Sequence, residues 1–156
     1  MVSHTGSLEG VMFKRVLLCF DGSAAGRKAL KRGAELAKLL NAEVYLLSID
    51  PEAAPNAAVW AAAAGCPCLV DPAAEHEGSV RESVQYLKQL GITAQVLHAQ
   101  GNVIDQIAGC AQKLAIDLIV VGHYPKPSGG RWWSGEERGA LAERVSCCVL
   151  IAVSDQ

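Results

Sequence analysis

Residues 14–23, KRVLLCFDGS, constrain the fold of this chain more than any other stretch. The apolar run 16–20 has the β-branched and aromatic members of a strand covered on both faces. It stops at Asp21-Gly22-Ser23 and passes at once into a helical pattern over 23–40. There Ala29, Gly33, Leu36, Ala37 and Leu40 recur at helical spacing, while Arg27, Lys28, Lys31, Arg32, Glu35 and Lys38 take the other side. Ser23 is placed to cap that helix. After a turn at 41–43, a second apolar run at 44–49 completes a strand–helix–strand unit, whose right-handed crossover makes the two strands parallel. Asp21 and free backbone N–H groups then stand together at the carboxyl end of a strand, where open α/β sheets bind ligands.

The rhythm continues along the chain. Val80, Val84 and Leu87 mark a helix over 75–90 that ends at Gly91, followed by a strand at 92–97. Asn102 caps a further helix running to about residue 115, with Val103, Ile104, Ile107 and Leu114 as its stripe. A fourth strand at 118–121, a helix around 140–145 and a fifth strand at 148–153 complete the series. Strictly alternating elements predict an α/β domain: a single doubly wound, mostly parallel five-stranded sheet with helices on both faces. The domain is expected to occupy 11–156, behind a flexible tail at 1–10. Only 50–74 breaks the pattern, with Pro51, Pro55, Pro67, Pro72 and an alanine-rich patch around Trp60 that suits either a lid or a surface segment with no task.

Bulk properties exclude several classes. At 156 residues the chain has room for one substantial core, and 14 Lys plus Arg against 16 Asp plus Glu leave no field that would draw nucleic acid or an anionic membrane. No run reaches the length of a membrane span and the first ten residues lack a signal core, so a cytoplasmic protein is expected. Six cysteines are too few for a disulfide scaffold, and Cys19 and Cys110 fall in apolar segments where a thiol packs as a small hydrophobe. Cys66-Pro67-Cys68, even with His76 nearby, lacks the spacing of a zinc site, and no metal is expected. Cys147 and Cys148 read as packing residues on opposite faces.

Four pieces in order, Asp21-Gly22-Ser23, Gly101-Asn102, the run 117–123 (DLIVVGH) and the run 142–145 (AERV), resemble the universal stress protein family over nearly the whole chain. The resemblance implies a homodimer formed through the last strand and, in one branch, an ATP or AMP ligand, with magnesium as an accompanying ion. Its binding residues here would be Cys19 and Phe20 at the end of the first strand and Asp21 after it, with Asp21 on the ribose, and Ile49 with its backbone on adenine. Opposite them would stand Val121, Gly122, His123, Arg131, Gly135, Gly139 and Ala140.

The phosphate loop departs from the family pattern of Gly, two residues, Gly, nine residues, Gly, then Ser or Thr. Counting from Gly122, the second glycine is Pro125, the third falls on Gly135, and the hydroxyl position holds Glu136. Counting back from residue 142 puts the last pair at Gly139-Ala140 instead. Pro125 removes an N–H, and a carboxylate at about 4 Å from a phosphate costs on the order of 1 to 4 kcal/mol. Triphosphate binding is therefore expected to be impaired in the first register. Lys126, Ser128, Gly129, Gly130 and Arg131 supply replacement donors and charge.

These readings give a small-molecule-responsive regulator that binds an adenine nucleotide, with a nucleotide-independent dimeric scaffold as the alternative. Trp132 and Trp133, two aromatics in a Gly- and Ser-rich loop, favour a protein partner or dimer contact. No catalytic residue is expected. His123 has no paired nucleophile, and the Walker lysine and paired metal-binding carboxylates of a nucleotide hydrolase are missing.

Overall fold

The computed structural model describes residues 13–50, 72–123 and 135–153. In chain order the elements are β1 (Arg15–Phe20), α1 (Ala24–Leu39), β2 (Glu43–Asp50), α2 (Pro72–Gln89), β3 (Gln95–Gln100), α3 (Val103–Lys113), β4 (Leu118–His123), α4 (Gly135–Arg144) and β5 (Cys148–Val153). All strand pairs are parallel and the sheet order is β3-β2-β1-β4-β5. The chain therefore winds one way from β1 to β3, then crosses back to build β4 and β5, which puts the reversal between β1 and β4.

Period-two alternation divides the core into two layers. Leu17, Cys19, Tyr45, Leu47, Ile49, Ile119 and Val121 face Ile104 and Ile107 of α3 and Leu141 of α4. Val16, Leu18, Phe20, Val44, Leu46, Leu118 and Val120 face Leu30, Ala34 and Ala37 of α1 and Val80 and Leu87 of α2. Burying both faces of the central strands requires α1 to lie close on the sheet, and Gly33 allows it. A Cβ there would stand 2.8 Å from Leu18 Cδ2 and 2.9 Å from Val120 Cγ1. The amino ends of the strands are tied by Asp117, whose Oδ2 accepts the N–H groups of Lys14 at 2.8 Å and Arg15 at 2.9 Å, while its carbonyl accepts from Cys148 N–H at 3.1 Å.

The cations of α1 fasten it to its neighbours. Arg27 reaches Ser79 (3.3 Å) and Glu82 (3.7 Å) on α2, Lys31 lies 5.3 Å above the Tyr86 ring, and Arg32 donates to the Val153 carbonyl at 2.8 Å, the end of β5. Ser23 and Asn102 are the N-caps of α1 and α3, their side chains accepting from Gly26 N–H and Asp105 N–H.

Several boundaries differ from the sequence expectation. β3 begins at Gln95, three residues late, because Ile92 N–H is taken by the Leu87 carbonyl at 2.9 Å and continues the end of α2. α4 begins at Gly135, ahead of the expected 140, since its first turn is polar and carries Glu136 and Glu137, which suit a helix N-terminus without leaving an apolar stripe. It ends at Arg144, one residue short of the expected 145. β4 runs two residues past 121 because β5 pairs with it through His123↔Val153. Leu40, expected on the apolar stripe of α1, is its half-buried C-cap. The tail 1–10, most of the segment 50–74, and Cys66, Cys68, Trp132 and Trp133 lie outside the described residues.

Two predictions follow from this packing. Gly33→Leu should lower stability by about 1–3 kcal/mol or more through overpacking, whereas Gly109→Ala on α3, where a Cβ meets nothing within 4 Å, should raise it by roughly 0.5–1 kcal/mol. Urea midpoints measure both. Burial pushes the Cys19 thiol far above its ordinary pKa, so peptide mapping after brief alkylation of the native protein should find Cys148, which is exposed, modified and Cys19 protected until unfolding.

Candidate functional site

The β1–β4 ladder has a short register, Val16↔Leu118, Leu17↔Ile119 and Leu18↔Val120, and there it stops. Both strands continue, β1 to Phe20 and β4 to His123. Each stays paired on its other side, through Phe20↔Ser48 and His123↔Val153. The last residues of β1 and β4 thus have no ladder between them, at the carboxyl end of the sheet where the winding reverses, which is the position of the ligand crevice in open α/β sheets. The expected residues Cys19, Phe20, Val121, Gly122 and His123 all belong to this unzipped stretch. Ile49 occupies the matching place on β2, one residue past the end of its ladder with β1.

Asp21 stands at the mouth of the crevice and is only 7% exposed. Its Oδ1 accepts from Ser23 N–H at 2.8 Å and Ser23 Oγ–H at 2.5 Å. Ser23 Oγ in turn accepts from Gly26 N–H at 2.9 Å, so one hydroxyl caps the helix and orients the carboxylate. Gly26 is what lets Asp21 settle against the first turn of α1, because a Cβ there would lie 2.3 Å from Oδ1. Gly22 has φ +79°, a conformation that suits glycine, and a Cβ on it would stand 2.8 Å from His76 Nδ1. The His76 ring, carried by the first half of α2, packs over this turn and places Nε2 2.5 Å from the buried Ser48 hydroxyl of β2. His76, Ser23 and Gly26 therefore belong to the wall of the site, and only Ser23 had been singled out there, as a cap.

Across the crevice, Gly122 and His123 are half-buried, and His123 Nδ1 is a buried atom with no hydrogen-bond partner. Burial, and secondarily the Arg138 guanidinium of α4, hold its imidazole below the ordinary histidine pKa. Arg138 was not expected from the sequence. Its signal is helical spacing, since it precedes the fully buried Leu141 by three residues and so lies on the core-facing side of α4, one turn nearer the crevice.

Side chains at the other expected positions are engaged elsewhere. Cys19, Phe20, Ile49 and Val121 point into the two core layers, so what they offer at the crevice is backbone. Gly135 is the first residue of α4, whereas Gly139 and Ala140 are exposed on the body of that helix. Arg131 lies outside the described residues. Among the described residues, no group of three or more His, Cys, Asp or Glu is arranged to hold a metal ion, and no helix is long and apolar enough to cross a membrane.

The fold recurs in solved structures. Universal stress protein UspA from Lactobacillus plantarum superposes with a TM-score of 0.71 at 20% identity, over 92% of this chain and 99% of that one. A universal stress protein in complex with cAMP gives 0.64 at 21% identity, over 93% and 100%. A third, from Archaeoglobus fulgidus in complex with dAMP, gives 0.59 at 14% identity, over 90% and 98%. No curated protein matches this chain by sequence. The model of the universal stress protein family matches residues 12–152, which is nearly the full length, and the chain belongs to that family.

Proposed function

We propose that this protein is a cytoplasmic stress-response regulator that binds an adenine nucleotide in the crevice between β1 and β4. The observation that carries the reading is the pre-set Asp21 carboxylate, buried and doubly held by Ser23 at the point where the β1–β4 ladder ends. Both contacts from Ser23 fall on Oδ1, and a carboxylate so fixed is suited to accepting from the vicinal hydroxyls of a ribose. The backbone at Ile49, beyond its ladder with β1, is suited to adenine, and the β4 end with the start of α4 to phosphate. Complexes of two structural neighbours with cAMP and dAMP support the choice of adenine nucleotides. In this reading ligand occupancy biases the loops around the crevice, and a partner reads the change.

Isothermal titration calorimetry with AMP, cAMP and ATP, with and without magnesium, tests the site. Asp21→Asn keeps an acceptor toward Ser23 but presents an amide donor to the ribose. It should weaken binding roughly ten- to a hundredfold, the equivalent of losing one charge-assisted hydrogen bond of about 1.5–3 kcal/mol. Gly26→Ala, which leaves the carboxylate chemically intact and displaces it, should weaken the same ligand. Wild-type affinity in both variants would move the site away from Asp21.

The scaffold reading has its own observation. β5 is an edge strand with Leu150, Ile151 and Val153 exposed at 38%, 41% and 45%, and unpaired edges with apolar side chains seek a partner strand. A homodimer through β5 follows from it, whether or not nucleotide binds. Ile151→Lys should shift the protein from dimer to monomer in sedimentation equilibrium. A wild-type protein that sediments as a monomer would remove both the dimer and the scaffold.

A further inference from the structure

Away from the Asp21 crevice, a cavity of about 520 Å³ lies between α3 and the connection from α4 to β5. We infer that this cavity is a second ligand site, built for a primary aliphatic amine, and that it works independently of the nucleotide reading above.

One wall is a single stripe of α3. Asp105, Ala108, Gly109 and Gln112 recur at three- and four-residue spacing, so they stand one above another on one side of the helix. The other wall is the end of α4, with Glu143 and Arg144, continued by Val145, Ser146 and Cys147. The base reaches Ile116 and Cys147, which adjoin the amino ends of β4 and β5, whereas Asp21 and His123 stand at the carboxyl ends of β1 and β4. Small residues make the space. Ala108 and Gly109 are half-buried and Ala111 is buried, and a Cβ on Gly109 would meet nothing within 4 Å. A cavity of this volume falls in the range that holds small ligands.

Charge then selects the ligand. Arg144 Nη2 meets Asp105 Oδ1 at 2.7 Å, so those two charges offset each other. Glu143 is then the lining charge left without an ion-pair partner among the described residues. α4 ends at Arg144, and the carbonyls of a helix's last turn carry partial negative charge. A carboxylate, these carbonyls and the Ser146 hydroxyl are all acceptors, and an ammonium brings three N–H donors to them. Behind the charge, Ala108, Ala111, Ile116 and Val145 offer an apolar bed for an alkyl body. A carboxylate on the ligand would oppose Glu143 and the helix end, which separates an amine from the corresponding amino acid.

Calorimetric titration of the full chain with isopentylamine, isopentanol and free leucine tests the site, because the three share one alkyl body and differ in charge. The amine should bind roughly five- to tenfold more tightly than either of the others, the gain of an exposed charge pair at a helix end. Glu143→Gln should remove that preference. Gly109→Leu, which fills the cavity from a position with room for a side chain, should weaken the amine at least about tenfold. Should Gly109→Leu fail to fold, Ala108→Val narrows the same wall. Glu77→Gln, exposed on α2, and Asp21→Asn should leave amine binding unchanged. Thermal unfolding reports whether each variant keeps its fold. AMP titrations of Glu143→Gln and Gly109→Leu should match the wild type, so the two sites stand or fall separately. The amine site is overturned if isopentylamine gives no heat at millimolar concentrations or if leucine binds as tightly. Equal losses in Glu77→Gln and Glu143→Gln, or full binding in the filled cavity, overturn it too.

Discussion

The site depends on a single constraint: two parallel strands that are hydrogen-bonded for only part of their length. Were β1 and β4 laddered to their ends, the carboxyl edge of the sheet would be closed and Asp21 would be an ordinary turn residue. They part after Leu18↔Val120 while each stays paired on its other side, β1 with β2 and β4 with β5. Asp117 fastens the same strands at their amino ends, so the opening is confined to one end of the sheet.

Around that opening the sequence uses small residues to bring elements close and polar ones to hold them. Gly33 lets α1 lie on Leu18 and Val120, and Gly26 lets the Asp21 carboxylate lie on α1. Ser23 closes the loop between cap and carboxylate, and His76 spans Gly22 and Ser48. The first turn of α1 is therefore held from the sheet, from the Asp21 turn and, through Arg27, from α2. Such cross-bracing fixes a carboxylate before any ligand arrives, which is the state that limits the entropy lost on binding.

Most of this architecture was legible in the residues, for physical reasons that also explain the failures. Central strands buried on both faces, such as 16–20 and 44–49, announce themselves as unbroken apolar runs. β3, an edge strand of sequence QVLHAQ that is nowhere fully buried, carries no such signal, and its start is decided by pairing with Tyr45 and by the hydrogen bond that keeps Ile92 at the end of α2. The polar first turn of α4 escaped notice for a related cause. Asp21 was visible because an acid after a buried strand is chemically conspicuous. Arg138 was not, since its importance comes from a neighbour three residues on and from a histidine on another element. Cys19 and Phe20 illustrate the converse: position beside the crevice is readable, but which atoms face it depends on the strand pleat.

Arg32 gives the molecule a mechanical property. It fastens the final carbonyl of β5 to α1, whose opening turn seats the Asp21 carboxylate. Any assembly that engages the outer border of β5 therefore loads a strand strapped to that helix, and quaternary contact and pocket geometry share one tether.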